Sequence, residues 1–327
     1  MGIIRGLHHV TAIAGDPQRN VDFYAGVLGL RLVKRTVNFD DPTTYHLYYG
    51  DEHGTPGSLV TFFPWPQGER GRQGRGQATV IAFAISPGAI GFWIERLLRH
   101  GVRYQGPTRR GSGAESEQVL AFTDGDGLLL ELVAHPAAEL RAGWGDAPGI
   151  PRDLAIRGVH GVTLWVDDGA PTETVLVETL GFRAVGEHDA VRRFTVGDGG
   201  PGAFVDVRAV GGFIEGAGGV GTVHHIAFAV PDDAAEGAMR ERLAAAGLDP
   251  TPVVDRHYFR SVYAREPGGI LYELATADPG FAIDERADQL GGRLMLPPQY
   301  EWRRPALERT LPAIHLPRSA ADLYGEG

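Results

Sequence analysis

Two histidine pairs occupy equivalent places in a repeated pattern, each at the start of a short apolar run. His9 is the second residue of HHVTAI, and His225 is the second residue of HHIAFAV. A carboxylate, Glu273, stands four positions after the glycine that opens GILYEL. Two neutral imidazoles and one carboxylate leave open positions on a metal for substrate and dioxygen, a set typical of non-haem Fe(II) oxygenases that Mn(II) also accepts. We therefore expect His9, His225 and Glu273 to bind one such metal ion.

The matching positions elsewhere in the chain do not repeat this ligand set. Val80 and Gly161 stand where a ligand histidine is needed, and neither side chain can bind a metal. Glu131, Asp206 and His160 form a second polar cluster if their units pair. Because both histidine positions are empty, we expect either a vestigial site or ordinary polar residues at a barrel rim.

The elements that position these residues recur four times along the chain. Each unit begins with a short predicted strand: Leu7–Ile13, Thr79–Ile85, His160–Val166 or His224–Val230. A helix follows each strand, with a predicted capping side chain at Asp16, Ser86, Asp168 or Asp232 and a glycine just beyond its end. About three further strands complete each unit, and the last of them follows a glycine. One such unit cannot bury its sheet face alone, so the units must pair.

This repeat predicts an α+β fold of four βαβββ modules that form two barrel-like halves. We expect unit one to pair with unit four and unit two with unit three, because only this pairing brings the three ligands together. The predicted domains are residues 1–150, with the N-terminal pair of modules, and residues 151–280, with the C-terminal pair. Residues 281–327 break the pattern and are predicted to be a C-terminal arm, packed on the barrels or on a neighbouring subunit.

Composition excludes several classes of protein. The 327 residues include 31 Lys and Arg against 41 Asp and Glu, a formal charge of −10, which argues against nucleic acid or an anionic membrane as the main partner. The absence of cysteine excludes disulfides, Cys-ligated zinc and thiol nucleophiles. Neither a signal-peptide core nor a membrane-spanning apolar run is found. We expect a cytoplasmic protein. The sequence leaves open whether it forms a homo-oligomer.

Four longer segments carry a family resemblance that covers nearly the whole chain: GLHHVTAI, NFDDPTTYHLYYGDEHGTPGSLVTFFPWP, VHHIAF and DRHYFRSVYAREPGGILYELATADPGF. They resemble the vicinal-oxygen-chelate superfamily of glyoxalases, bleomycin-resistance proteins and extradiol dioxygenases. Within it, they are most similar to ring-cleaving dioxygenases of the 2,6-dichlorohydroquinone 1,2-dioxygenase type. The resemblance implies the same three residues as iron ligands. It also implies five residues around the metal and the substrate: His8, Thr11, His224, Arg256 and Tyr263.

For these five residues, the sequence leaves other roles open. Arg256 offers a fixed cationic fork for a phenolate oxygen, but it can equally pair with Asp255 or Glu266 at the surface. The hydroxyl of Tyr263 faces either a cavity or a buried hydrogen-bond partner. The two additional histidines can carry protons, since their unperturbed pKa lies near neutrality, or can orient the ligand histidines.

The activity expected from this pattern is Fe(II)-dependent, extradiol-type cleavage of a hydroquinone-like ring, with Mn(II) as the alternative metal. Its partners are a small aromatic substrate and dioxygen. The first rival is a metal-dependent isomerase or lyase of the glyoxalase type, which in this superfamily normally has a second ligating carboxylate. Thr61 stands at that place in unit one. The second rival is a non-catalytic small-molecule-binding resistance protein, which would not need a complete ligand set.

Overall fold

The chain follows the order of strands and helices that the repeat predicts. The computed structural model describes residues 2–111 and 116–317. The strands of the first two units are β1 (Leu7–Ala14), β2 (Arg31–Val37), β3 (Tyr45–Gly50), β4 (Leu59–Pro64), β5 (Gln77–Ile85), β6 (Tyr104–Arg110), β7 (Glu117–Thr123) and β8 (Leu129–Ala134). Those of the last two are β9 (Val159–Val166), β10 (Arg183–His188), β11 (Val191–Thr195), β12 (Phe204–Ala209), β13 (Thr222–Val230), β14 (Val254–Asp255), β15 (Arg260–Arg265) and β16 (Leu271–Thr276).

One helix follows the first strand of each unit. The α-helices are α1 (Pro17–Val21), α2 (Ile90–Arg99), α3 (Gly169–Thr174), α4 (Asp233–Ala245) and, in the C-terminal arm, α5 (Arg304–Thr310). Helices α1 and α3 continue as π-helical turns, Asp22–Val27 and Val175–Thr179. None of the helices in the described ranges is both long and apolar enough to cross a membrane.

Three of the four predicted helix caps are confirmed. The carboxylates of Asp16, Asp168 and Asp232 each accept a hydrogen bond from a backbone N–H in the first turn. The prediction for Ser86 was wrong, because a 3₁₀ turn precedes α2 and the Ser86 hydroxyl instead donates to the backbone oxygen of Asp153, 3.3 Å away. At Ser86, a hydrogen bond to a distant loop takes the place of the local helix cap.

Two eight-stranded sheets each join two units through their first strands. The first sheet has the order β14-β15-β16-β13-β1-β4-β3-β2, and the second has the order β10-β11-β12-β9-β5-β8-β7-β6. The central pairs, β1 with β13 and β5 with β9, are antiparallel. The predicted fold class is confirmed, as is the pairing of unit one with four and of unit two with three. The domain division at residues 150 and 280 stays a prediction.

The two faces of each first strand differ in chemistry, which positions the polar residues. On β1, Val10 and Ala12 pack into the main hydrophobic core, so the alternating residues His9 and Thr11 lie on the opposite face. Strand β13 packs Ile226 into the same core. The polar face of the first sheet therefore collects side chains from strands that are far apart in the chain.

The C-terminal arm packs on the first sheet, beside β2 and β3. The buried ammonium of Lys34 lies 2.6 Å from a carboxylate oxygen of Asp284 and 2.6 Å from one of Glu285. The hydroxyl of Tyr45 donates to the backbone oxygen of Pro312, and that of Tyr300 donates to the backbone oxygen of Phe39. These contacts hold residues of the predicted arm against the first sheet. Residues 318–327 of the predicted arm lie outside the described residues.

Candidate metal centre

Three adjacent strands of the first sheet bring the predicted ligands together. His9 on β1 lies opposite Ala227 on β13, and Ala227 lies opposite Glu273 on β16. His225 precedes Ala227 by two residues and so shares its face of the strand. The three side chains therefore lie on one face of the sheet, with His9 and Glu273 in one row and His225 in the next, although His9 and Glu273 come from opposite ends of the chain.

The donor atoms of these side chains converge on one point. His9 Nε2 lies 3.2 Å from His225 Nε2 and 3.2 Å from Glu273 Oε2, and His225 Nε2 lies 2.9 Å from the same oxygen. All three residues are buried. Within the described ranges, no other group of three or more His, Asp or Glu side chains is arranged so that it could hold a metal ion.

A β-bulge places a second histidine beside each of the two imidazoles. The pairing of β1 with β13 skips His8 on one strand and His224 on the other, so each is the extra residue of a bulge. Simple alternation would turn them to the opposite face. The bulges instead bring His8 Nδ1 to 2.9 Å from His9 Nδ1, and His224 Nδ1 to 2.8 Å from His225 Nδ1.

The hydrogen-bond partners assign the tautomer of His9. His8 Nε2 lies 3.0 Å from the backbone oxygen of Thr276, which can only accept, so this nitrogen carries the proton. Burial lowers the pKa of His8 to about 3, and the neutral ring therefore accepts at Nδ1. His9 Nδ1 must therefore donate to it, which leaves Nε2 as the nitrogen of His9 that can offer a lone pair to a metal. That lone pair faces Glu273 Oε2, and a cation between two such acceptors would stabilise both.

The state of Glu273 also fits a metal ligand. The Ser261 hydroxyl donates to Glu273 Oε1 across 2.5 Å, whereas the buried Oε2 makes no hydrogen bond. Burial raises the pKa of Glu273, but the adjacent imidazoles of His9 and His225 outweigh burial and lower this pKa well below its usual range. Burial lowers the pKa of His225. A charged carboxylate and a neutral imidazole are the states that metal binding requires.

A cavity of about 440 Å³ opens onto these three residues. One wall is aromatic, with Phe39, Phe63, Trp65 and Phe259. The polar lining, apart from the three metal-ligand candidates, comprises Asn38, Asp40, Asp41, His46, Tyr48, His224, Arg256 and Tyr263. Aromatic walls combined with convergent polar groups are typical of a small-molecule site.

Arg256 and Tyr263 lie together at one side of this cavity. Arg256 Nε donates to the Tyr263 hydroxyl oxygen across 3.1 Å, and the guanidinium lies over the tyrosine ring, 5.2 Å from its centre. The ion pair considered from the sequence, with Asp255 or Glu266, is not the one formed. Arg256 pairs instead with Asp40 at 3.0 Å, because the loop between β2 and β3 lines the same cavity.

A chain of hydrogen bonds leads away from Thr11 on the same face of the sheet. Thr11 Oγ1 lies 2.8 Å from Thr61 Oγ1, which lies 2.9 Å from His46 Nε2. His46 Nδ1 lies 2.8 Å from the Tyr48 hydroxyl. Sequence reasoning missed His46, Tyr48 and Asp40, although all three lie in the segment NFDDPTTYHLYYG that carries the family resemblance. The alternation of His46 and Tyr48 on one strand was the available signal.

The second sheet has an ion-pair cluster in the equivalent place. Arg193 binds Asp206 through two bonds of 2.8 Å and Glu117 through one of 2.9 Å. Glu117 also lies 2.7 Å from His160 Nε2. The backbone of Phe204 passes so close to Gly161 that a Cβ there would lie 2.7 Å from its oxygen, so no side chain fits that position.

Comparison with known proteins agrees with this architecture. The family model of the Glyoxalase/Bleomycin resistance protein/Dioxygenase superfamily matches residues 6–132 and 158–274. The chain is 45% identical over 307 residues to the "Putative ring-cleaving dioxygenase MhqO" of Bacillus subtilis, covering 94% of this chain and 95% of that protein. It is 33% identical over 316 residues to the chlorohydroquinone/hydroquinone 1,2-dioxygenase of Sphingobium indicum, covering 94% and 96%.

Solved structures show the same fold. A crystal structure of a "putative dioxygenase" from Bacillus subtilis superposes with a TM-score of 0.91 at 42% identity, covering 97% of this chain and 99% of that one. Glyoxalase I from Zea mays, at 15% identity, superposes with a TM-score of 0.59 over 83% of this chain and 92% of its own, a likeness of fold alone.

Proposed function

Because the chain belongs to the Glyoxalase/Bleomycin resistance protein/Dioxygenase superfamily, we propose that it is an Fe(II)-dependent enzyme that cleaves the ring of a hydroquinone-like substrate with dioxygen. The observation that carries this proposal is the convergence of His9 Nε2, His225 Nε2 and Glu273 Oε2 at the floor of an aromatic-walled cavity. Relatives that are 33–45% identical are named ring-cleaving or hydroquinone dioxygenases, which supports the same reaction.

In this proposal His9, His225 and Glu273 hold the metal. An Fe(II) ion bound there would supply open positions for a phenol oxygen and dioxygen and a path for electrons between them. Mn(II) suits the same nitrogen and oxygen ligands. The glyoxalase-type alternative lacks support at Thr61, because its hydroxyl is engaged by Thr11 and His46 and no carboxylate stands there.

The surrounding residues of the chain have separate roles in this proposal. His8 and His224 orient the two ligand imidazoles through their Nδ1 contacts. Thr11 fixes Thr61 beside them. The Tyr263 hydroxyl accepts from Arg256 and keeps its own proton, since burial raises its pKa far above neutrality. It can therefore donate to a phenol oxygen, with the guanidinium stabilising negative charge on that oxygen.

Oxygen uptake tests the proposed reaction directly. We expect protein loaded with Fe(II) under anaerobic conditions to consume dioxygen when a hydroquinone is added. We also expect kcat/KM for a substituted hydroquinone to exceed that for the catechol with the same substituent, since a ring that offers the metal one oxygen depends most on the polar groups of the cavity. Mn(II)-loaded protein is the comparison for metal identity. Faster catechol cleavage would refute the hydroquinone assignment, and no uptake by the loaded protein would refute the dioxygenase.

Arg256→Ala and Tyr263→Phe are expected to lower hydroquinone turnover about 10- to 100-fold, the effect of losing a hydrogen bond to a charged group. Metal content should not change, since neither side chain is a proposed ligand. Steady-state kinetics beside elemental analysis measures both. Arg260→Ala is the matched control, because Arg260 lies in the neighbouring stretch and pairs with Asp233 at the surface. Wild-type turnover in both cavity variants would exclude the proposed orienting role.

A further inference from the structure

Two tyrosines are equivalent in the internal repeat and line the same cavity, from strands β3 and β15 on either side of the strands that carry the ligands. Tyr48 is paired across β3 and β4 with Thr61, and Tyr263 is paired across β15 and β16 with Glu273. Thr61 and Glu273 are matching positions, each four residues after a glycine. The proposed reaction uses Tyr263 but gives Tyr48 no task, although both line the cavity.

The Tyr48 hydroxyl is held in place by His46. Burial lowers the pKa of His46 well below its usual value, so the ring is neutral and carries one N–H. Its two nitrogens contact Tyr48 and Thr61, at 2.8 and 2.9 Å, and the chain continues to Thr11. Phe63 packs against the imidazole, with the ring centres 4.4 Å apart. The imidazole is therefore fixed on both edges and along one face.

A neutral imidazole between two hydroxyl groups makes the chain directional. If His46 Nε2–H donates to Thr61, Tyr48 donates to Nδ1 and its oxygen is left to accept. If Thr61 donates to Nε2, His46 Nδ1–H donates to Tyr48, whose proton is then left to donate. In both directions the Tyr48 hydroxyl keeps one hydrogen-bonding function that neither His46 nor Thr61 uses. Burial raises the pKa of Tyr48 well above its usual value, so the hydroxyl stays neutral.

We propose that Tyr48 binds the second oxygen of a 1,4-dioxygenated ring, and that His46 is the positioning residue that orients it. This inference rests on the proposed function for the place of the first oxygen, beside Arg256 and Tyr263. The two pseudo-equivalent tyrosines then receive the two ends of one ring, with the aromatic wall along its faces. Tyr48 thereby selects hydroquinones over rings with a single hydroxyl group.

Hydroquinone and phenol form the matched ligand pair, since they differ only in the second oxygen. We would titrate each into the Fe(II)-loaded protein under anaerobic conditions by isothermal titration calorimetry, so that binding is measured without turnover. Tyr48→Phe is expected to weaken hydroquinone binding about 3- to 10-fold, the worth of one neutral hydrogen bond, and to leave phenol binding unchanged. Tyr49→Phe is the control, because this buried tyrosine on the same strand donates to Asn20 Oδ1 instead.

His46 is tested by rescue. His46→Leu removes both contacts and should weaken hydroquinone binding as Tyr48→Phe does, whereas His46→Gln retains an amide acceptor and donor and should recover part of the loss. Equal loss of both ligands in Tyr48→Phe, or unchanged hydroquinone binding, would overturn the inference. A wild-type protein that binds hydroquinone no better than phenol would also overturn it. Selective binding through Tyr48 without any oxygen uptake would instead refute the proposed reaction and leave this inference standing.

Discussion

Glu273→Ala is expected to abolish metal binding and, with it, ring cleavage. The substitution removes the anionic ligand, and both imidazoles then face a cation without a compensating charge. Loss of an outer partner alone typically lowers metal affinity or activity about 10- to 100-fold, so loss of a ligand should exceed this range. Elemental analysis after dialysis, together with the oxygen-uptake assay, measures the two effects. His9→Ala and His225→Ala should behave in the same way.

Glu131→Ala provides the matched control for this substitution. Glu131 holds the same position in unit two, four residues after a glycine, and pairs with Arg110 at 2.9 Å in the second sheet. Arg110 keeps its pairing with Glu117 when Glu131 is lost. The control should therefore retain metal and activity. Full metal retention in any one of the three ligand variants would remove that residue from the proposed set.

Lys34→Met is expected to reduce the free energy of unfolding by about 3–5 kcal/mol, the effect of breaking a buried ion pair by removing one partner. Lys34 is 0% exposed, and the side chain of its partner Glu285 is 1% exposed. Without the ammonium, the carboxylate stays buried beside an apolar side chain. Because this pair joins β2 to the C-terminal arm, we expect the arm to loosen first. Urea denaturation followed by circular dichroism measures the change.

Two variants check the cause of this destabilisation. Arg286→Met removes an exposed cation that pairs with Asp288 in the same arm, and exposed pairs contribute little, so stability should not change. Lys34→Met combined with Glu285→Gln removes the unpaired buried charge and should recover part of the lost stability. If Lys34→Met unfolds at the wild-type urea concentration, the buried pair does not anchor the arm.

The repeat was predictable from the amino-acid sequence, and so was the convergence of the three predicted metal ligands. Alternation along a strand, capping residues before a helix and glycines before the last strand are local signals, and they recur in all four units. Once the units were aligned, His9 and His225 stood at matching positions, Glu273 stood four residues after the glycine of the last strand, and only one pairing of units could bring the three together. The register of the repeat therefore carried long-range information that a single strand does not contain.

The remaining features depended on tertiary structure because their partners meet only after the sheets form. Arg256 pairs with Asp40, 216 residues away, rather than with the nearer Asp255 or Glu266, since the loop between β2 and β3 lines the same cavity. Strand alternation identifies the face of His46 but not the residue that lies opposite it. The bulges that turn His8 and His224 toward the ligands arise from the pairing of β1 with β13. Contacts of this kind are decided by packing between distant segments, for which no local pattern of residue types exists.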